Sequence, residues 1–326
     1  MPVLLSEQDV RIVLTMGELI AAMEAALIAF SAGHVEQPVR TVLEVGLQRA
    51  FFAVMPAFIP ESPALGTKIV TVFPSNASAG LPTHLATIVL LDPMTGELLS
   101  VMDGRFITES RTAAVSAVST KLLARADAST LAIIGSGVQA RSHLEAIALV
   151  RDLVDVRVWS PNPVSRATFT RELQPRTRAP IKSARSAQDA VEGADIVVLA
   201  TAAREPVVHS EWIAAGAHIC AVGADRPDQR EMDTALVARA RLFVDSRAAA
   251  LVEAGDIVLP IGEGAFDTTH IVAEIGAVAA GAAGGRLSPD DVTIFKSLGL
   301  AVEDVAAPHL AYVKAAERGL GRGFVL

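Results

Sequence analysis

The spacing of apolar residues changes character near residue 129 of this 326-residue chain. Upstream, Ser6-x-x-Asp9 opens a helical pattern carrying Val10, Val13 and Leu14. Thr15-x-x-Glu18 opens a second, carrying Leu19, Ile20, Met23, Ala26, Leu27 and Phe30 and closed by Gly33. Residues 37–45 alternate weakly. Residues 51–60, 66–73, 85–91 and 98–102 read as strands, with a Pro- and Gly-containing turn over 92–97. These strands follow one another without helices between them, which predicts an antiparallel sheet in an α+β domain. A helix is expected from Thr108 to Ala124. Downstream, apolar runs at 131–134, 156–159, 196–199, 219–222 and 242–244 alternate with helical segments near 138–150, 163–173, 186–193, 210–214 and 233–239. That alternation predicts an α/β fold with a Rossmann-type doubly wound parallel sheet. A helix over 274–283, a last strand at 292–295 and a final helix from Ala301 complete the pattern, the last returning to the first domain. The expected division is 1–118 with 302–326 as substrate-binding and dimerisation domain, and 119–301 as dinucleotide-binding domain.

The run 131–134 is closed by Gly135, and Gly135, Gly137 and Ala140 then spell G-x-G-x-x-A before Leu144, Ile147 and Ala148 at helical spacing. A glycine turn of this kind occurs in many α/β proteins, but strand before and helix after favour a dinucleotide site. The first glycine permits the turn, the second lets backbone approach a pyrophosphate, and the small third residue packs helix on strand. The phosphates then face the N–H groups of the helix start, at Gly137, Val138 and Gln139. An acidic residue about 20 positions further on normally holds the adenosine ribose. Here the strand 156–159 ends in Ser160-Pro161-Asn162-Pro163, and Asp155 stands at its other end. Without a carboxylate to repel a 2′-phosphate, and with Ser160, Asn162 and Arg166 as donors, the reading leans to NADP over NAD.

Composition narrows the partners. The chain is 51% hydrophobic and 20% charged, with 28 Lys and Arg against 36 Asp and Glu, a net charge of −8. That balance gives no support to nucleic acid or an anionic membrane as partner. Residues 69–91 carry no formal charge, yet Pro74, Asn76, Gly80 and Pro82 interrupt them, so two strands and a loop fit better than a membrane span. The first seven residues show no secretory signal, which leads to an expectation of cytoplasmic residence. The one cysteine, Cys220, sits in an apolar run and reads as a buried structural thiol. The seven histidines form no H-E-x-x-H, and no metal site is expected. His84 follows Thr83 and could reach a pocket; His143 reads as structural.

Several segments together resemble the ornithine cyclodeaminase/μ-crystallin family. They are Val39-Arg40, the run 68–76 beginning at Lys68, Gly80-Leu81-Pro82-Thr83, and the run 107–114 containing Arg111-Thr112-Ala113-Ala114. To these add the glycine turn, Val222-Gly223-Ala224-Asp225, and the run 295–304 from Phe295 to Asp304. They keep the family's order along nearly the whole chain, and the 111–114 and 295–304 segments are the specific ones. The resemblance implies a substrate and dimerisation domain plus a Rossmann domain, and a homodimer formed through the former. It implies that Arg40, Lys68 and Arg111 hold the carboxylate of a small amino or imino acid and that Thr83 lies near substrate and nicotinamide. It further implies that Arg111 and Thr112 touch the cofactor phosphates, that Thr201, Val222 and Gly223 line the cofactor, and that Ser297 and Gly299 form a loop over the nicotinamide. Asp225 matches the acidic residue beside the reacting nitrogen.

These residue types suit the chemistry. A carboxylate taken out of water needs charge-assisted partners, which arginine's planar fork supplies in two places. Three cations make a site that is net positive before substrate enters. Hydride transfer to an imine carbon needs a protonated nitrogen, which Asp225 can stabilise or supply. Its apolar approach, 219–224, predicts partial burial. One departure matters: the resemblance places a glutamate of ornithine cyclodeaminases at the position of Ala53. Glu109 either favours a helix start or supplies that absent charge. The leading expectation is therefore an NAD(P)-dependent ketimine reductase or amino-acid dehydrogenase. Ornithine cyclodeamination to proline and ammonia is the alternative within enzymes, and a dinucleotide-dependent ligand-binding protein without turnover is the alternative outside them.

Overall fold

The computed structural model describes residues 1–46 and 50–325. The chain divides into two compact units, Met1–Arg111 with Gly299–Leu326, and Thr112–Leu298. In chain order the elements are β1 (Val3–Leu5), α1 (Glu7–Val13), α2 (Met16–Ser31), β2 (Thr41–Val45), β3 (Ala50–Ile59), β4 (Ala64–Val72), β5 (His84–Leu91), β6 (Leu98–Asp103) and α3 (Arg105–Leu123). There follow β7 (Thr130–Ile134), α4 (Val138–Ile147), β8 (Asp155–Trp159), α5 (Pro163–Leu173), β9 (Ile181–Ser183), α6 (Ala187–Val191), β10 (Ile196–Leu199), β11 (His218–Ala221), α7 (Thr234–Arg239) and β12 (Arg241–Val244). The remainder is α8 (Arg247–Glu253), α9 (Gly255–Gly262), β13 (Ile271–Glu274), α10 (Ile275–Ala279), β14 (Thr293–Lys296), α11 (Glu303–Glu317) and β15 (Arg322–Gly323).

The first unit holds a seven-stranded sheet in the order β15-β1-β6-β5-β4-β3-β2. Reciprocal capping boxes at Ser6/Asp9 and Thr15/Glu18 start α1 and α2 where the sequence signals them. In β4 every second residue from Ala64 to Val70 is buried, and α11 and α2 pack together, with α11 also lying on β4. The expected all-antiparallel sheet is corrected at one edge: β1 joins β6 in parallel, and β15 then pairs antiparallel with β1. The three-residue β1 is too short to show a period of its own. α3 begins at Arg105, three residues before the expected start at Thr108, because the Asp103 side chain accepts from the Arg105 N–H at 2.9 Å. Glu109 therefore lies beyond the first helical turn, and it faces Arg11 at 4.0 Å.

The second unit holds an eight-stranded sheet, β13-β12-β14-β11-β10-β7-β8-β9, whose pairs are all parallel. The strand order reverses between β7 and β10, which is where an open parallel sheet leaves a crevice at the carboxyl ends of its strands. β10, β11 and β14 are buried along their whole length; the unbroken apolar run of β10 requires it, while β11 and β14 also enclose His218, Thr293 and Lys296. β9 and β13 are not legible in the sequence because each offers only a short apolar stretch. Glu274 both ends β13 and caps the start of α10, so the helix expected over 274–283 begins where the sequence placed it but stops at Ala279. α8 and α9 also go beyond the sequence pattern, and 210–214 holds only a 3₁₀ turn over Ser210–Trp212. Cys220 is buried against Ser119, Thr120 and His218, and burial pushes its thiol up. His143 is buried too, bonded to the Gln139 carbonyl at 2.7 Å and to Ser116 Oγ at 2.9 Å, and burial pushes it down to about 4. Among the described residues no single helix is long and apolar enough to cross a membrane.

Candidate active site

In the first unit the alternation of β4 puts Lys68 at a core position, 2% exposed, opposite Met55 of β3 and Ile88 of β5. Arg111, on the buried side of α3, is similarly enclosed. A lone buried cation is costly, and here each meets a carboxylate from the first turn of α11. Lys68 Nζ lies 2.5 Å from Asp304 Oδ2. Arg111 Nε donates to Asp304 Oδ1 at 3.0 Å, and Arg111 Nη1 donates to Glu303 Oε2 at 2.6 Å. Glu303 and Asp304 suit that place, since a helix N-terminus favours negative charge. The α11 start is itself pinned by the Val302 N–H donating to Gln37 Oε1 at 2.8 Å. Gly299 (φ +81°) passes so close that a Cβ there would collide with the Arg111 guanidinium. Only glycine satisfies both that conformation and that space.

The electrostatics follow from this packing. Burial pushes the Lys68 ammonium down to about 8; Asp304 opposes the shift, while Arg111 and Arg40 add to it. Arg40, immediately before β2, is thus a third charge felt at Lys68. For Asp304, burial alone would raise the carboxyl, but Arg111 and Lys68 outweigh it and hold it below the ordinary range. His84 opens β5 on the same face of the sheet as Lys68; burial, then Lys68 and Arg111, push it down to about 4, so the ring is neutral at physiological pH. Thr83, the residue before it, is exposed. The three cations expected from the sequence are therefore accompanied by two carboxylates to which it assigned no role. Their signal was present, since both lie in the run 295–304, but a cluster of cations in sequence does not announce what neutralises it.

In the second unit the glycine turn behaves as its spacing predicts. Gly135 has φ +125°, and a Cβ there would collide with the Ala200 carbonyl. Gly137 is the N-cap of α4, makes no side-chain cap bond, and has open space where a Cβ would stand. Ala140, in α4, is buried, and Val138, at its start, is exposed. The first N–H groups of a ten-residue helix thus face an open cradle, which fits a diphosphate. Gln139 Oε1, beside that cradle, is buried with no hydrogen-bond partner among the described residues.

At the end of β8, Ser160 Oγ lies 2.9 Å from Ser136 Oγ, and Arg166 Nε donates to Ser183 Oγ at 3.2 Å while its Nη1 reaches the Ser160 carbonyl. The Asn162 side chain caps α5 through the Val164 and Ser165 N–H groups. Asp155, at the amino end of β8, pairs with Arg157 at 2.8 Å and Lys182 at 2.6 Å. Thr112 follows Arg111 on α3.

The strand ends across the crevice are held by buried acids. Asp245, after β12, accepts from Ser297 Oγ at 3.2 Å and from the Leu298 N–H at 2.6 Å. Glu231 accepts from the Thr201 N–H and hydroxyl and from the Gly223 N–H. Val222 is fixed by its N–H donating to the Leu199 carbonyl at 2.9 Å. Asp225 is exposed, not partly buried as the apolar approach suggested. The reason is local: Ala224 takes the buried place because its N–H turns in to Glu231 at 3.2 Å. Among the described residues no three His, Cys, Asp or Glu side chains are grouped to hold a metal.

The profile of the ornithine cyclodeaminase/mu-crystallin family matches residues 1–319. The chain belongs to that family. It is 44% identical to the ketimine reductase mu-crystallin of Mus musculus over 315 residues, 95% of this chain and 96% of that one. It is 39% identical to a Delta(1)-pyrroline-2-carboxylate reductase of Bacillus cereus over 318 residues, 97% of this chain and 98% of that one. Among solved structures, the Delta(1)-pyrroline-2-carboxylate reductase of Thermococcus litoralis, in complex with NADH and L-proline, superposes with a TM-score of 0.97 at 42% identity, covering 99% of this chain and 100% of that one. The Rossmann-type fold and the family assignment made from the sequence both stand.

Proposed function

We propose that this member of the family is an NAD(P)-dependent reductase of small cyclic α-imino acids of the pyrroline-2-carboxylate kind, forming the corresponding amino acid. The observation that carries the reading is the buried Lys68–Asp304–Arg111 cluster, with Arg40 acting on it. Such an arrangement holds cations rigidly where a single carboxylate can be taken out of water. When bound at the glycine turn, a reduced nicotinamide dinucleotide supplies a hydride for the imine carbon. Arg40, Lys68 and Arg111 hold the substrate carboxylate, Thr83 borders the substrate, and Asp225 holds a proton at the imine nitrogen. Gly135, Gly137, Val138, Gln139 and Ala140 take the diphosphate, while Thr201, Val222, Gly223, Ser297 and Gly299 flank the nicotinamide. Ser160, Asn162 and Arg166, with no carboxylate at the end of β8, favour NADP over NAD.

Ornithine cyclodeamination is the weaker reading. Ala53 is buried and stands opposite Val70, so it shares the sheet face of Lys68. A methyl group there offers no charge for a distal amine. The close relatives named reductases point the same way, and intact Lys68 and Asp225 argue against a protein that binds without turnover. Assembly as a homodimer through the first unit is part of the proposal. All five residues of β2 are exposed, and Leu43, Leu85 and Thr87 leave the opposite face of the sheet open.

The test is a substrate panel followed by NADPH absorbance. Oxidation of NADPH by Δ1-pyrroline-2-carboxylate or its six-membered homologue is expected. Ammonia release from ornithine without net change in cofactor would transfer the assignment to cyclodeamination. Dinucleotide binding with no turnover on any imine would leave a binding protein. A monomer in sedimentation would remove the dimer.

A further inference from the structure

We propose that Glu231 is a positioning residue for hydride transfer, a single buried carboxylate that locks the ends of β10 and β11 and so sets where the nicotinamide half of the dinucleotide rests. The inference rests on the reductase reading but concerns Glu231, Asp256 and Lys296, to which that reading gives no part.

Glu231 is fully buried, and both its oxygens are engaged. Oε1 accepts from the Thr201 N–H at 2.7 Å and the Thr201 hydroxyl at 2.8 Å; Oε2 accepts from the Gly223 N–H at 2.8 Å and the Ala224 N–H at 3.2 Å. One side chain therefore closes the gap between two loops that leave neighbouring strands. Gly223 is wedged in that closure: a Cβ would collide with both the Thr201 carbonyl and Glu231 Oε1. The carboxylate is anchored in turn. Asp256 Oδ1 accepts from the Glu231 N–H at 2.8 Å and the Met232 N–H at 3.1 Å. Asp256 Oδ2 lies 3.2 Å from the fully buried ammonium of Lys296, an ion pair outside hydrogen-bond geometry. Lys296 is the last residue of β14, immediately before Ser297.

The location gives this network its meaning. With the strand order reversing between β7 and β10, the β7–β8–β9 side takes the adenosine half of a dinucleotide and the β10–β11–β14 side takes the other half. Glu231 and its anchors touch only the second side. A brace needed merely for folding has no reason to choose the carboxyl ends of three strands that flank the ring. Hydride transfer tolerates little error, since a displacement of about 1 Å costs about a hundredfold in rate.

The experiment compares wild type with Glu231→Gln in the full-length protein, reading thermal unfolding, turnover of the imine, affinity for NADPH, and affinity for 2′-phospho-ADP-ribose, which lacks the nicotinamide. The amide keeps the acceptor for Thr201 but turns an NH₂ toward the Gly223 and Ala224 N–H groups. NADPH should bind about tenfold more weakly, kcat for the imine should fall by about a hundredfold, and 2′-phospho-ADP-ribose should bind as to wild type. Equal loss for both ligands, or no loss for either, would overturn the proposal. Should Glu231→Gln fail to fold, Asp256→Asn, which keeps the acceptor for the two N–H groups and weakens only the pair with Lys296, is expected to show the same asymmetry at smaller size; if that asymmetry is absent, the proposal is equally overturned. If wild type binds NADPH but reduces no imine, the reductase reading falls while the two binding measurements still decide the role of Glu231.

Discussion

The two units bury charge for opposite purposes. In the first, Lys68 and Arg111 are held by Glu303 and Asp304, and in the proposed function the cations take the substrate carboxylate while the acids orient them. In the second, Glu231 and Asp256 Oδ1 accept mainly from backbone N–H groups, and Asp256 Oδ2 faces the ammonium of Lys296. On the proposed reading the first cluster is an anion receptor with side-chain counterions, and on the further inference the second is a brace at the ends of parallel strands. Both carry the desolvation cost of buried ions, which only near-complete pairing can offset.

The sharpest way to break this comparison is to remove a counterion from the receptor. Asp304→Ala leaves Lys68 and one edge of Arg111 buried against nothing negative, which should cost about 3–5 kcal/mol of stability. Denaturant unfolding checks it. A loss below about 1 kcal/mol would mean that the pair behaves as an exposed one and that the first unit holds its cations some other way. Asp225→Ala comes next. It is exposed, so stability should be nearly unchanged, while turnover should fall by about 10²-fold or more with dinucleotide affinity preserved. Unchanged turnover would remove Asp225 from the reaction and leave the receptor without a proton partner.

Much of this is visible in the sequence. Capping boxes, the glycine turn and apolar strands of the second unit such as β7 and β10 declare themselves because each is set by local chemistry or by a run of like residues. The cations Arg40, Lys68 and Arg111 are marked in the sequence by the family resemblance and by no local pattern of their own. What stays hidden is of two kinds. Short elements such as β1, β9 and β13 are stabilised by their neighbours and carry no period of their own. The acids Glu231, Asp256 and Asp304 look like ordinary surface charges in sequence, because their partners are backbone N–H groups or cations tens to hundreds of positions away. Asp225 shows the converse: an apolar approach predicts burial, and a hydrogen bond from its neighbour Ala224 to Glu231 turns it outward.

The titration of Lys68 separates receptor from brace. Lys68 in the folded protein loses its proton near 8, whereas an unperturbed lysine holds it to 10.5. Between these values the unfolded chain binds the additional proton, so the stability of the free protein should rise with pH, by at most about 1.4 kcal/mol per unit from this group. Grip on the substrate carboxylate depends on the charged form and moves the other way, so kcat/KM should fall up to about tenfold per unit above pH 8. Lys68→Arg, which keeps its charge throughout this range, should flatten the falling limb even if it lowers the plateau. A limb that survives in the arginine variant assigns the titration to another group.

The smallest expected effect sharpens the comparison within the second unit, between the braced side and the adenosine side. Arg166 is held against the Ser160 carbonyl and Ser183 Oγ rather than by a carboxylate, so its charge is directed to the end of β8 without being neutralised there. In the proposed site a 2′-phosphate placed by Ser160 would meet that charge, whereas a 2′-hydroxyl would gain little from it. Arg166→Ala should therefore weaken NADPH by about tenfold, the size of one partly exposed charge-assisted contact, and change NADH by less than about twofold. Glu231→Gln should do the reverse, affecting both dinucleotides alike and sparing fragments without nicotinamide. Equal losses of NADPH and NADH in Arg166→Ala would place the guanidinium in the support of α5 rather than in recognition, and would remove the lean toward NADP.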